Sequence, residues 1–324
     1  MSTTTATDFK GVTHFGNDQL INMLEVNLKS YLDWSMLKIG GWVDISNTQA
    51  DIWDGDTSQL RMVEDPSYTD GQVWQGMRKD WVWETGVNYS DVDSVTQNPS
   101  GVGTPTVGGV ATAESYSINY PLGRIVFDTA IATTSTVKTT HAYRNVQVYV
   151  ADDVPWFREL QFRSYRSDDV QISETDSGEW SIGGQHRVQL PVVIIEGVSR
   201  GTSRAFEMGS GSLVIQQDVL FHVVSDSRYS RNNIVDIIRQ QSDRAIWLFD
   251  TNLVNAGSGW PLDMDGALVG TKMYTDLVDT ITNGGYQWNQ CYMRNAVVSE
   301  IDTLYPKLFE GVVRMTMEIV LGGS

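Results

Sequence analysis

Two stretches of the chain carry apolar residues at helical spacing, and most of the rest alternates or clusters in short runs. Between Asn17 and Ile39, Leu20, Leu24, Leu28, Tyr31 and Leu32 mark one helix face, and Ile21 widens the stripe. Asn17 is placed to cap the start and Gly40-Gly41 to stop the end, with Asn22, Glu25, Lys29 and Asp33 on the other face. The second helix follows Ser225 to Arg231, with Ile234, Ile237, Ile238 and then Ala245 and Ile246 as its stripe.

The intervening pattern is that of strands. From Gly41 to about Asn98, Trp42, Trp53, Trp74, Trp81 and Trp83 stand among Asp, Gly and Ser, which predicts short strands between turns. Asn98 to Pro105, with Gly108-Gly109, reads as a long flexible loop or linker near 98–112. Ala113 to Asp153 is strongly β, with Tyr116–Tyr120, a Pro121-Leu-Gly123 turn, Arg124–Phe127, Val137–Tyr143 and Asn145–Val150. Val146, Val148 and Val150 alternate with Gln147 and Tyr149 as in a half-buried strand. Short turns between sequential strands favour an antiparallel, sandwich-like arrangement. Leu190–Glu196 has little alternation and suits a central strand. Arg204–Met208 and Leu213–Val224 read as a strand pair around a Gly-Ser-Gly turn, and Cys291–Ser299 and Gly311–Leu321 as closing strands. The predicted class is α+β. Its expected parts are a flexible arm at 1–16, a helix with an antiparallel β-rich domain at 17–184, and an α+β sheet-and-helix domain at 185–324.

Composition narrows the function. The 324 residues are long enough for one large or two ordinary domains, and 41% are hydrophobic. The opening Met-Ser-Thr-Thr-Thr-Ala-Thr has no basic start leading into an apolar run, and no stretch reaches membrane-span length. A soluble protein without a cleaved leader is expected. Cys291 is the single cysteine, so no intramolecular disulfide forms and the thiol reads as a small buried residue. A formal net charge of −17 disfavours general nucleic-acid binding, and suits either solubility or a surface that DNA passes without adhering.

No Gly-x-Gly-x-x-Gly, Walker A, His-Glu-x-x-His or Cys-x-x-Cys pattern occurs, and His14, His141, His186 and His222 are scattered. The chain is read as not an enzyme, with no residue assigned to a catalytic, cofactor or metal role. Asp51, Asp54 and Asp56, and separately Asp263 and Asp265, hold part of a calcium loop's oxygen set, but Asp-Gly pairs make hairpin turns equally well. Arg158, Arg163 and Arg166 interleave with aromatic residues in the manner of a nucleic-acid patch. Asp152-Asp153 and Asp168-Asp169 flank and neutralise them, which favours a subunit contact. Trp81 and Trp83 fall on one strand face and are read as exposed interface anchors, or as sugar-stacking platforms if the chain is a carbohydrate-binding β module. Trp34 and Trp247 lie in or near helical stripes and are expected to be packed.

Gly123-Arg-Ile-Val-Phe-Asp128, Val137-Lys-Thr-Thr-His-Ala-Tyr-Arg144 and Val146-Gln-Val-Tyr-Val150 resemble strands of tailed-phage virion proteins. The second half is similar in plan to tail-terminator and neck proteins: Val219–Val224, then a helix of the Asn233–Arg239 kind, then Leu248-Phe-Asp250. The resemblance spans about residues 115 to 320, and the chain is about twice as long as a minimal terminator. It implies a virion protein, assembled in the host cytoplasm, that forms a homo-oligomeric ring, commonly a hexamer, at the head–tail junction. Partners would be adjacent neck, tail-tube or sheath proteins, with DNA passing unbound and no membrane involved. A baseplate or other tail component is the alternative. The Thr-rich start and the 98–112 loop would be arms toward neighbouring layers.

Overall fold

A computed structural model describes residues 20–46, 58–90, 96–162, 172–174, 180–182, 186–206, 212–305 and 308–321. The class is α+β, with few helices and mostly antiparallel sheets. Helix α1 (Leu20–Lys38) buries Met23, Leu24, Leu28, Tyr31, Leu32, Met36 and Leu37. It ends as the paired glycines predict. Gly40 takes φ +81°, its N–H reaches the Leu37 carbonyl, and the Gly41 N–H reaches the Met36 carbonyl. This is a Schellman closure, in which a left-handed residue lets two terminal carbonyls be satisfied. Asn17 lies outside the described residues.

Eleven short strands follow: β1 (Trp42–Ile45), β2 (Gln59–Met62), β3 (Val73–Gln75), β4 (Tyr89–Ser90), β5 (Thr96–Gln97), β6 (Thr106–Val107), β7 (Val110–Ala111), β8 (Tyr116–Asn119), β9 (Arg124–Phe127), β10 (Val137–Lys138) and β11 (His141–Arg144). Seven form an antiparallel sheet in the order β7-β6-β10-β2-β3-β9-β8, over a core of Leu60, Trp74, Trp81, Tyr120, Ile125, Phe127 and Val137. The predicted hairpin at Pro121-Leu-Gly123 is the β8–β9 turn, where Gly123 has φ +61° and an added Cβ would lie 2.6 Å from the Arg78 carbonyl. Two sequence expectations are corrected. Val137–Tyr143 is two strands, since β10 pairs β2 and β6 whereas β11 pairs β1. The stretch at 98–112 is no linker, because β6 and β7 form a hairpin on β10 about Gly108 and Gly109, both at positive φ.

The second sheet is built from β12 (Gln147–Val150), β16 (Val192–Ala205), β17 (Leu213–Ser225), β18 (Arg244–Phe249), β19 (Gln287–Tyr305) and β20 (Leu308–Leu321), in the order β12-β16-β17-β20-β19-β18. Between them lie α2 (Pro155–Phe162), the three-stranded β13 (Ile172–Glu174), β14 (Trp180–Ile182) and β15 (His186–Val188), and α3 (Arg228–Arg239), with α4 (Thr251–Ala256) and α5 (Tyr274–Leu277) after β18. One sheet face carries Val148, Val193, Ile195, Val219, Phe221, Val223, Val313, Met315, Met317, Cys291 and Ile246, and it packs on α1, α3 and α5. Gly311 lets α3 approach closely: a Cβ there would sit 3.0 Å from the Val235 side chain.

Three expectations change here. The anticipated division at residue 185 does not follow the sheets, because α1 and β12 share the core of the six-stranded sheet. Strand β12 runs parallel to β16 and is covered on both faces, with Gln147 fully buried and its amide on the Arg144 carbonyl. Ala245 and Ile246 do not extend the second helix; α3 ends at Arg239 and they lie on β18, where only Ile246 points inward. Trp247 is therefore 43% exposed rather than packed.

Strand β18 is a sheet edge, and side chains close it. Asn27 donates to the Phe249 carbonyl (3.0 Å) and accepts from its N–H (2.8 Å), and Tyr274 Oη donates to the Trp247 carbonyl (2.6 Å). Unpaired edge groups template association with other strands, so occupying them from within blocks that route. Asp250 then caps α4, accepting from the N–H groups of Asn252 and Leu253.

Candidate functional site

Where α1 meets the N-terminal β region, a cavity of about 310 Å³ opens between the two sheets. Trp34, Trp83, Tyr120, Tyr149 and Trp260 contribute to its wall, and Lys29, Asp33, Asp80, Glu84 and Arg144 form its polar part. The polar groups arrive from separate elements. Lys29 and Asp33 sit one helical turn apart on α1, and Lys29 Nζ donates to Asp33 Oδ2 at 2.6 Å. Arg144 ends β11 and grips Glu84 through Nη2, 2.6 and 2.7 Å from the two carboxylate oxygens. Its Nε lies 3.4 Å from Asp80 Oδ1. Asp80 is held at φ +57° by its N–H to the Pro121 carbonyl and by its own carbonyl, which accepts from the Arg144 N–H. Sequence reading places Lys29 and Asp33 on an outer helix face. The fold lays the 80–84 segment over that face instead.

Three carboxylates, Asp33, Asp80 and Glu84, gather around Arg144 and Lys29, with Lys272 as the third cation of the lining. Asp33 Oδ1 is buried without a hydrogen-bond partner. The field shows in the titrating groups. Burial raises the Asp80 carboxyl to about 6, with Asp33 and Glu84 adding to it against Arg144 and Lys29. Burial also raises the Tyr149 phenol, reinforced by Asp80 and Asp33. Lys29 separates the two causes: burial alone lowers an ammonium, yet Asp33 and Asp80 carry it above its ordinary value. Negative potential, not only desolvation, acts here.

The two tryptophans singled out from sequence both line this cavity, and Trp81 is not the exposed anchor expected of it. Trp81 is 0% exposed, donates from Nε1 to the Arg78 carbonyl and stacks on His141 with centroids 4.3 Å apart. It pairs with Tyr143 through an isolated bridge, inside the core. Trp83 is half-buried. Arg158, on α2, is partly exposed and bridges Asp152 Oδ1 (3.2 Å) and Glu196 Oε1 (2.9 Å). Glu196 also reaches buried His222, whose other ring nitrogen is 2.8 Å from Glu310. Arg158 thus belongs to a polar network under α2 that pins the helix to the sheet. Arg163 and Arg166 lie outside the described residues, as do Asp51, Asp54 and Asp56. Asp263 and Asp265 form a turn in which Asp263 Oδ1 accepts from the N–H groups of Asp265 and Ala267, the hairpin role of an Asp-Gly pair. No grouping of three or more metal-ligating side chains occurs among the described residues. Gly197-Val-Ser-Arg-Gly201 spells the nucleophile-elbow pattern, but it runs inside β16 with no strand-to-helix turn.

A second feature is a surface. The six-stranded sheet's other face is covered at one end by α2, through Trp156 and Phe157 on Val192, Ile194 and Val224. No described residue covers its other end. There Gln216, Asp218, Gln290, Tyr292, Arg294, Arg314, Thr316, Glu318 and Trp247 alternate with fully buried neighbours. Arg314 pairs with Asp218, which also accepts from Thr316 Oγ1 at 2.8 Å, and Arg294 Nε lies 3.5 Å from Glu318. Trp247 and Tyr292, 43% and 37% exposed, are diagonal neighbours across β18 and β19, with the Arg294 guanidinium 5.9 Å over the Tyr292 ring. No sequence signal marks this patch before the strand register is known. Comparison of the chain with protein-family models, with curated proteins and with solved structures finds no match to any of them.

Proposed function

We propose that the chain is a non-catalytic structural subunit of a tailed-phage particle, forming a homo-oligomeric ring at the head–tail junction around the DNA channel. The observation that supports self-association is the uncovered end of the six-stranded sheet, where Trp247, Tyr292, Arg294 and Arg314 sit together on one flat face. Tryptophan, tyrosine and arginine are the residues that dominate protein–protein contacts, and large aromatics seldom lie paired on a solvated sheet without a partner. The closed edge of β18 favours assembly through this face over strand addition. A net charge of −17, repeated around an axis, makes an acidic assembly that DNA traverses without adhering. The sequence plan of residues 115–320 supplies the neck position, and the terminator-like character of the second half belongs to the same proposal. Sedimentation over a concentration series, with purified particles probed for the chain, tests it. Rings that the Trp247→Ser, Tyr292→Ser pair disperses are expected. A strictly monomeric protein that is also absent from particles overturns the proposal.

A further inference from the structure

We propose that the cavity between α1, the Asp80–Glu84 segment and the loop around Trp260 binds an organic cation, an alkylammonium or guanidinium group. Its walls and its polar groups both point to this chemistry. Trp34, Trp83 and Trp260 present half-buried indoles, the rings that attract cations best. The Trp260 indole is held in place by its Nε1, which donates to Asn255 Oδ1 at 2.6 Å, and by an edge contact with Phe249. The cations already present are engaged elsewhere in the cluster. Both oxygens of Glu84 lie on Arg144, and Lys29 occupies only one oxygen of Asp33. Lys272, also in the lining, donates to the Gly284 carbonyl at 2.6 Å and lies over the Tyr286 ring. What remains is one carboxylate oxygen without a donor and one carboxylate (Asp80) with a long 3.4 Å partner. A monocation meets the indole faces and the loosely paired Asp80 carboxylate together, whereas a neutral sugar brings no charge to the rings and an anion is repelled by the carboxylates.

The group has two sources, a free amine or guanidine and a lysine or arginine side chain projecting from a partner protein. Calorimetric titration of the full chain with n-butylammonium, ethylguanidinium, capped Gly-Lys-Gly and uncharged n-butanol separates them. Binding of the two cations with at least tenfold preference over butanol is expected. Asp33→Asn and Asp80→Asn should each weaken it about tenfold, and asparagine keeps the shape of both sites, including the positive φ at residue 80. Capped peptide binding as well as butylammonium assigns a partner's side chain; exclusion of the peptide assigns a small molecule. Equal binding of butanol, unchanged affinity in both variants, or no binding of either cation up to about 10 mM, well past a millimolar Kd, overturns the proposal. The measurement uses the isolated chain and does not depend on ring assembly.

Discussion

His141 and Asp80, on either side of Trp81, should make opposite contributions to acid stability. His141 is 1% exposed, and burial lowers its imidazole from 6.5 to about 4, the contact with the Thr139 carbonyl acting weakly the other way. The unfolded chain therefore takes up a proton below pH 6.5 that the native state refuses until about pH 4. Its contribution to stability is complete above 6.5 and is lost as pH falls through that window. Asp80 is raised from 3.8 to about 6, so the native state takes a proton first, and stability is gained as pH falls from 6 toward 3.8. Between pH 7.5 and 4.5 the histidine removes about 2–3 kcal/mol and the aspartate returns about 1–3 kcal/mol, at about 1.4 kcal/mol per pH unit of linkage. Urea unfolding followed by tryptophan fluorescence at both pH values measures each term as a difference from the parent protein. On acidification His141→Phe should gain about 2–3 kcal/mol relative to the parent, and Asp80→Asn should lose about 1–3 kcal/mol. Comparing pH dependences cancels any constant cost of either substitution. Two variants that track the parent across this range would refute the assignment of these two groups.

Three further outcomes follow from the packing. Asn27→Ala removes both partners of the Phe249 backbone; it should cost about 2–4 kcal/mol and promote aggregation on light scattering, through the opened β18 edge. Arg144→Met leaves Glu84, 7% exposed, without its bidentate partner, and should lower stability by about 3–5 kcal/mol in urea, whereas the double variant with Glu84→Gln should recover much of that. Cys291 is fully buried and its thiol is pushed up to about 12, chiefly by burial. It should react with a disulfide reagent only as the protein unfolds, giving one thiol per chain in denaturant and almost none without.

Local patterns were readable wherever one segment carried the whole signal. The leucine stripe and glycine pair of α1, the β8–β9 turn and the long strands around Val219 and Val313 follow from spacing and turn chemistry alone. Errors arose where distant segments decide the environment. Val146–Val150 alternates like a half-covered strand, but α1 covers its Val146 and Val148 face, Gln147 is buried on the opposite one, and pairing with β16 makes it parallel. Trp247 looked packed because Ile237 and Ile238 lead into it at helical spacing; the turn at residues 240–243, with Asp243 at φ +63°, breaks the helix and turns the indole outward. Trp81 looked exposed because it shares a face with Trp83, yet its indole stacks on His141 and reaches the Arg78 carbonyl in the core. The candidate site was invisible for the same reason: Asp33, Asp80, Glu84, Arg144 and Trp260 lie on four separate segments, which meet where α1 packs on the six-stranded sheet and on Val82, Val87 and Ala142.

Labelling reads the proposed place of the chain in a particle directly. Antibody raised against the purified chain, conjugated to gold and applied to intact phage, should mark the junction between head and tail. Label at the baseplate would move the chain to the other end of the tail, and particles that bind no antibody and contain none of the chain would contradict the account.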